Sequence, residues 1–109
     1  MSYDEELAAR IRTLLEANPG LSERKMFGGI AFMINGNMCC GVSREDLMLR
    51  VGAADYEAAL SQPHARPMDF TGRPMKSMVF VGPAATKEGK SLAAWVDRAC
   101  AFASSLPPK

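Results

Sequence analysis

The sequence predicts an α+β fold, in which a small antiparallel sheet of about four strands packs with helices in the order α-β-β-β-α-β-α. Apolar residues recur at helical spacing near both ends of the chain, and the middle alternates like a set of strands. The chain has 109 residues, of which 48% are hydrophobic, and this suits one folded domain over residues 1–109.

The first helix is predicted from an N-terminal signal, an apolar stripe and a stop. Ser2 and Glu5 have the spacing of a capping box. The stripe follows at i, i+4, i+7 and i+8, in Leu7, Ile11, Leu14 and Leu15. Asn18-Pro19-Gly20 then ends the helix, because proline disfavours helical geometry in the residue before it.

A three-stranded antiparallel meander is predicted between residues 26 and 51. Its first strand is apolar on both faces and ends at Asn35-Gly36, a strong hairpin signal. In the second strand a period of two places Cys40 on one face and Cys39 on the other. A polar turn at residues 43–46 leads into the third strand, from Leu47 to Val51.

The second half of the chain predicts a helix, a loop, a strand and a helix. The short helix spans Ala53 to Gln62, and the proline-containing loop after it runs to Pro74. A fourth strand covers Met75 to Val81. Thr86 is the expected N-cap of the last helix, whose apolar stripe is Leu92, Trp95, Val96, Ala99, Ala103 and Leu106.

Charge and cysteine usage narrow the functional class. Thirteen basic and twelve acidic residues give a net charge of +1, which argues against a dedicated polyanion binder. No apolar stretch is long enough to span a membrane, and the first residues are acidic where a secretory signal is basic. Three cysteines, an odd number, suit a reducing compartment. We therefore expect a cytoplasmic protein with no membrane partner.

The most distinctive motif is a pair of glycines inside an apolar segment. A phosphate-binding loop places its glycines before a helix, whereas a strand follows here, so we favour a structural role over a ligand site. Paired glycines in a strand are typical of a bulge, a bend or a close backbone approach. The motif comprises Met26, Phe27, Gly28 and Gly29.

No constellation of catalytic or metal-ligating residues stands out. Cys39 and Cys40 are adjacent, and adjacent strand residues point to opposite faces, so the pair cannot easily bind one metal ion without a bulge. Cys100 is interpreted as a core residue, and His64 lies in the proline-rich loop with no sign of a neighbouring thiol. We predict no catalytic residue, no metal and no cofactor.

Five basic residues near predicted strand ends are candidate contacts for phosphate groups or an acidic protein segment. They are Arg24, Lys25, Arg50, Arg73 and Lys76. The alternative is that they are solvated strand ends that discourage edge-to-edge aggregation, and we favour it. Six methionines pose a similar choice between filling core gaps and forming an adaptable contact surface; they are Met33, Met38, Met48, Met68, Met75 and Met78.

Several segments together resemble the N-terminal domain of the TfoX/Sxy family, whose regulators act in natural competence of bacteria. They are residues 24–32, 35–38, 47–50, 68–76, 94–96 and 106–109. The resemblance implies an α+β fold similar to secretion chaperones, which often dimerise. It also implies co-activation of transcription with a cyclic-AMP receptor protein by full-length members, which carry a second, helical domain. The expectation here is a stand-alone N-terminal domain.

We therefore expect a small non-enzymatic binding module, a homodimer that acts by contact with an unidentified protein in transcription or competence regulation. One alternative is a nucleic-acid accessory protein that uses the five basic residues, although few aromatic residues are available for base stacking. Another is a ligand-binding protein or enzyme with a pocket near Gly28-Gly29 and Arg73.

Overall fold

A computed structural model describes residues 3–26, 28–68 and 77–108. Within these ranges, four helices span Glu5–Leu15 (α1), Tyr56–Leu60 (α2), Pro83–Thr86 (α3) and Gly89–Ser105 (α4). Six strands span Leu21–Met26 (β1), Gly29–Ile34 (β2), Asn37–Ser43 (β3), Asp46–Arg50 (β4), Ala65–Pro67 (β5) and Met78–Val81 (β6).

The strands form one antiparallel sheet in the order β1-β2-β3-β4-β6-β5. The α+β class with an antiparallel sheet is thus confirmed, although the sheet has six described strands where about four were expected, and the element order differs slightly. β1 precedes the predicted meander, β5 lies in the predicted loop, and α3 precedes the last helix. Neither extra strand has an alternating apolar pattern, because both lie at edges of the sheet and are largely exposed.

The two faces of the sheet differ in composition. On the helix face, strand residues such as Phe32, Leu49 and Val79 pack with α1 and α4 in the larger core cluster. The opposite face is buried as well and is named the methionine face after its members: Ala31, Met33, Met38, Met48, Met68, Met78 and Phe80. A sheet that is buried on both faces explains why its central strands lack a clear polar alternation.

Helix α1 is capped by Asp4, the residue directly before its first turn. The carboxylate of Asp4 accepts hydrogen bonds from the backbone N–H groups of Glu6 and Leu7, each at 3.0 Å. The predicted capping box depends on Ser2, which lies outside the described residues, so Asp4 is the cap that the structure assigns. The buried stripe is Leu7, Ala8, Ile11 and Leu15, while Leu14 is exposed.

Removing this cap should have a measurable cost. We expect Asp4→Ala to lower the free energy of unfolding by about 1 kcal/mol, because two backbone donors lose their acceptor. Asp4→Asn, which keeps an acceptor oxygen, should recover most of that loss. Urea denaturation followed by circular dichroism measures both, and equal losses for the two variants would contradict a capping role.

The hairpin signal at Asn35-Gly36 is confirmed. Asn35 and Gly36 have φ values of 51° and 83°, and the two residues connect β2 to β3 as the left-handed geometry of a tight hairpin requires. Arg44 and Glu45 connect β3 to β4 within the predicted polar turn, and of these two only Arg44 has a positive φ, of 55°.

An ion pair connects α1 to β1. The guanidinium of Arg12 donates to both carboxylate oxygens of Glu23, at 2.6 and 2.8 Å, and lies 5.8 Å from the ring centroid of Phe32. These hydrogen bonds hold the pKa of Glu23 below its usual value. The pair therefore fixes the middle of β1 against the first helix.

The last third of the chain covers the helix face. The stripe from Leu92 to Ala103 is buried as predicted, but α4 is capped at Glu88 rather than Thr86, whose hydroxyl instead donates to the Pro83 carbonyl. The side chain of Asn37 donates to the carbonyl of Pro107 at 2.9 Å, which holds the residues after α4 against the sheet. Among the helices described, none has the length and apolar composition needed to cross a membrane.

Candidate functional site

The outer edge of β1 is the most extended exposed backbone of the sheet. Residues 22–25 are exposed, and β1 pairs on its inner side with all six residues of β2. Within the described part of the chain, no strand pairs with its outer side. The other edge, β5, has three residues and ends in Pro67, which lacks a backbone donor. β1 is therefore the edge whose backbone N–H and C=O groups can pair with a partner strand.

The basic residues of β1 point to opposite sides of the sheet. Lys25 lies opposite Ile30 and so shares the helix face, whereas Arg24 lies opposite Ala31 and shares the methionine face. Both are exposed on an edge strand, where charged side chains discourage pairing with an unmatched strand and favour a partner strand of complementary charge.

The remaining basic candidates do not join them in the described structure. Arg50 ends β4, three strands away from β1, and its guanidinium lies 5.4 Å from the ring centroid of Phe102. Arg73 and Lys76 lie outside the described residues. Of the three candidates that the structure describes, Arg24 and Lys25 are neighbours on β1 but lie on opposite faces of the sheet, and Arg50 lies apart from both.

Sequence reasoning did not single out the arginines that stack on aromatic rings. Arg66 pairs with Asp46 at 2.6 Å and lies 4.9 Å from the ring centroid of Phe80, while Arg98 lies 5.2 Å from that of Trp95. The contacts of Arg66 join elements that are distant along the chain and have no mark in the sequence. Arg98 and Trp95 lie three residues apart on α4, a spacing that places two side chains on one face of a helix.

The paired glycines build a hairpin and a close strand contact. Gly28 lies in the turn between β1 and β2 with a φ of 73°, a conformation that side chains disfavour. A Cβ on Gly29 would overlap the carbonyl oxygen of Val42 in β3. Of the structural roles expected for the pair, a close backbone approach is found at Gly29, whereas a bulge within one strand is not, because the glycines separate β1 from β2. Phe27 and the side chain of Met26 lie outside the described residues.

The methionines of the sheet fill space inside the protein. Met33, Met38, Met48, Met68 and Met78 are at most 8% exposed, so none offers an adaptable contact surface in this structure. Met75 lies outside the described residues. The prediction that most of these methionines fill core gaps is confirmed for the five described.

Comparison with family models relates these features to known proteins. The model of the TfoX N-terminal domain matches residues 13–103, which include the edge strand, the glycine turn and most of α4. The chain belongs to the TfoX N-terminal domain family. Searches of curated proteins and of solved structures found no significant match.

The cysteines of this TfoX N-terminal domain form a cluster that the sequence did not predict. The register of β2 and β3 shifts between Phe32, which pairs with Cys40, and Met33, which pairs with Met38. Cys39 is thus an extra residue in β3, a β-bulge, and it packs with Cys40 in the core cluster on the helix face. The expectation that the two cysteines point to opposite faces was wrong, because a bulge interrupts the period of two.

Cys100 completes the cluster from α4. It is half-buried, packs against the same core cluster and lies 3.9 Å (Sγ to Oγ) from Ser104. The thiol of Cys39 interacts with those of Cys40 and Cys100, and these hydrogen bonds lower the pKa of Cys39. Burial raises the pKa of Cys100, while the interaction with Cys39, together with burial, raises that of Cys40.

The described residues hold no group of three or more His, Cys, Asp or Glu side chains arranged for a metal ion. Two shallow cavities, of about 270 and 250 Å³, lie between the residues that follow α2 and helix α4, and both include Trp95 and Ser91. They are smaller than typical ligand pockets of ~300–1,000 Å³. Both lie away from the Gly28-Gly29 turn, where the ligand hypothesis expects its pocket.

Proposed function

We propose that this domain is a non-enzymatic binding module that forms a homodimer through β1 and acts by protein–protein contact in transcriptional regulation. The outer edge of the six-residue strand β1, which no other described strand pairs with, carries the proposal. Two copies of an exposed edge strand can pair antiparallel across a twofold axis and extend both sheets.

The charge pattern of β1 selects one register for this pairing. A twofold axis perpendicular to the sheet preserves its faces, so opposed residues must belong to the same face. When the axis passes through Arg24, Glu23 of each copy lies opposite Lys25 of the other, on the helix face. This register therefore forms two cross-strand pairs of opposite charge, in each of which Glu23 is shared between Lys25 of the other copy and Arg12 of its own, and such pairs stabilise an antiparallel ladder.

The same register has one unfavourable contact. Arg24 of each copy lies opposite its equivalent on the methionine face, and like charges in that position repel. With the axis at Glu23 instead, two carboxylates face each other and Lys25 meets Leu21, so no opposite pair compensates. The balance of two attractive pairs against one repulsive pair favours the axis at Arg24.

Two neighbouring substitutions that remove the same charge should therefore have opposite effects. Lys25→Gln removes two attractive pairs at about 0.2–1 kcal/mol each, so we expect the dimer Kd to rise roughly 2- to 30-fold. Arg24→Gln removes the repulsion, so we expect a lower Kd. Sedimentation equilibrium of the wild-type protein and both variants at low salt measures the three constants.

The outcomes separate this proposal from its alternatives. A wild-type protein that stays monomeric at high concentration, or a Kd that rises in both variants, contradicts the proposed register. Contacts with phosphate groups would instead make both variants weaker in binding nucleic acid, with an affinity that falls steeply as salt rises. Lys90→Gln, on the exposed start of α4, is the matched control for loss of one positive charge.

Membership of the TfoX N-terminal domain family supports the regulatory part of the proposal. We expect tagged protein captured from a cell lysate to retain a stoichiometric protein partner after nuclease treatment. A partner that is lost on nuclease treatment would contradict direct protein contact and favour the nucleic-acid alternative.

A further inference from the structure

We propose that the thiol cluster is a site of reversible oxidation, at which a hydroperoxide converts Cys39 and Cys100 into a disulfide that bridges β3 and α4. The inference is independent of the β1 dimer, because both cysteines lie on the helix face within one chain.

The fold brings these two thiols together through the bulge. A regular β3 would direct Cys39 to the methionine face, away from α4. The extra residue instead directs Cys39 into the core cluster that Cys100 packs against. Bulges of this kind commonly re-aim a side chain at a functional position.

The exposure of the three thiols indicates which cysteine is oxidised first and which then forms the disulfide. Cys100 is half-buried and is the thiol that a hydroperoxide can reach, whereas Cys39 and Cys40 are 0% exposed. Hydrogen peroxide transfers one oxygen to Cys100, which gives a sulfenic acid and one water molecule. The Cys39 thiolate then attacks the Cys100 sulfur, the S–S bond forms, and hydroxide leaves and takes up the proton that Cys39 lost. Two thiols and one peroxide thus give one disulfide and two waters.

The electrostatics of the cluster fit these roles. The hydrogen bonds that lower the pKa of Cys39 favour its thiolate, which is the form that attacks. Burial raises the pKa of Cys100, so we expect its first oxidation to be slow and to need sustained peroxide.

A disulfide between Cys39 and Cys40 is disfavoured by geometry. The Cα atoms of adjacent residues are about 3.8 Å apart across a trans peptide, and the chain has no cis peptide bond among the described residues. Disulfides usually join Cα atoms that are about 4.4–6.8 Å apart. Cys39 is therefore directed to pair across the strand–helix interface and not with its neighbour.

Mass spectrometry of the oxidised full chain tests the site directly. Hydrogen peroxide is added to the folded protein, free thiols are blocked with N-ethylmaleimide, and the chain is digested with trypsin. Trypsin leaves Cys39 and Cys40 in the peptide of residues 26–44 and Cys100 in the peptide of residues 99–109. We expect these two peptides to be cross-linked within one chain, and dithiothreitol to separate them.

Three variants locate the bond. Cys100→Ala should abolish the cross-link, and Cys39→Ala should do the same, while Cys40→Ala should retain it; circular dichroism confirms that each is folded. The wild-type protein is also oxidised in urea. If the unfolded chain no longer prefers the bond between Cys39 and Cys100, the fold is what directs that bond. A disulfide within residues 26–44, a link between two chains, an unselective mixture in the folded protein, or oxidation of Cys100 to sulfinic acid without a cross-link would each overturn the proposal.

Discussion

Replacing Gly29 with alanine is expected to lower the free energy of unfolding by about 3 kcal/mol, the upper end of the usual cost of overpacking, because the atoms in the way belong to the backbone. The added Cβ would overlap the carbonyl oxygen of Val42, and its next nearest atoms are also backbone atoms of β3. No rotamer change can relieve this overlap. β2 and β3 must therefore separate locally around Gly29, the first residue of β2.

The neighbouring glycine supplies the control. A Cβ on Gly28 would have no atom within 4 Å, so Gly28→Ala should cost only the left-handed backbone conformation, about 1–2 kcal/mol. Urea denaturation of the wild-type protein and both variants measures the difference. A loss for Gly29→Ala that is no larger than the loss for Gly28→Ala would contradict the close approach of β2 and β3.

Truncation of Phe32 should have an effect of similar size. Phe32 is 0% exposed at the centre of the helix face, and we expect Phe32→Ala to lower the free energy of unfolding by about 3–5 kcal/mol through lost burial and a residual cavity. Since small domains are stable by about 5–15 kcal/mol, the variant should be close to unfolding at moderate temperature. Arg12 would also lose the aromatic ring beneath its guanidinium.

Leu14 offers a matched truncation outside the core. It is 44% exposed on α1, so Leu14→Ala should change the free energy of unfolding by less than about 0.5 kcal/mol. Thermal and urea unfolding followed by circular dichroism compare the two variants. Similar losses for Phe32→Ala and Leu14→Ala would show that the helix face is not the main core.

The edge strand shows where prediction from sequence reached its limit. The helix α1, the Asn35-Gly36 hairpin and the buried stripe of α4 could be predicted, because each has a local signal in apolar spacing or turn chemistry. β1 has no such signal, since its exposed residues 22–25 are polar and their strand geometry depends on pairing with β2. The residues proposed for the dimer, Arg24 and Lys25, were therefore identified by type but not by their place in the sheet.

The thiol cluster could not be derived from sequence for a different reason. A strict period of two separates Cys39 from Cys40, and a bulge has no reliable sequence signature when it involves no glycine. The approach of Cys100 depends on how α4 packs across the sheet, which is a property of the tertiary fold. The adjacent cysteines were a visible feature, and only the register of β2 and β3 shows that they share a face.

The order of the strands also determines which steps in forming the sheet lose the most conformational entropy. β1 to β4 are neighbours in sequence as well as in space, and each connection between them has two residues. Loops this short close with little loss of conformational freedom beyond that of the strands themselves. A much larger entropic cost of loop closure arises when β6, which begins at residue 78, pairs with β4 at the centre of the sheet. The four-stranded meander is thus the local part of the topology, and the thiol cluster is complete only after the distant C-terminal helix has docked on it.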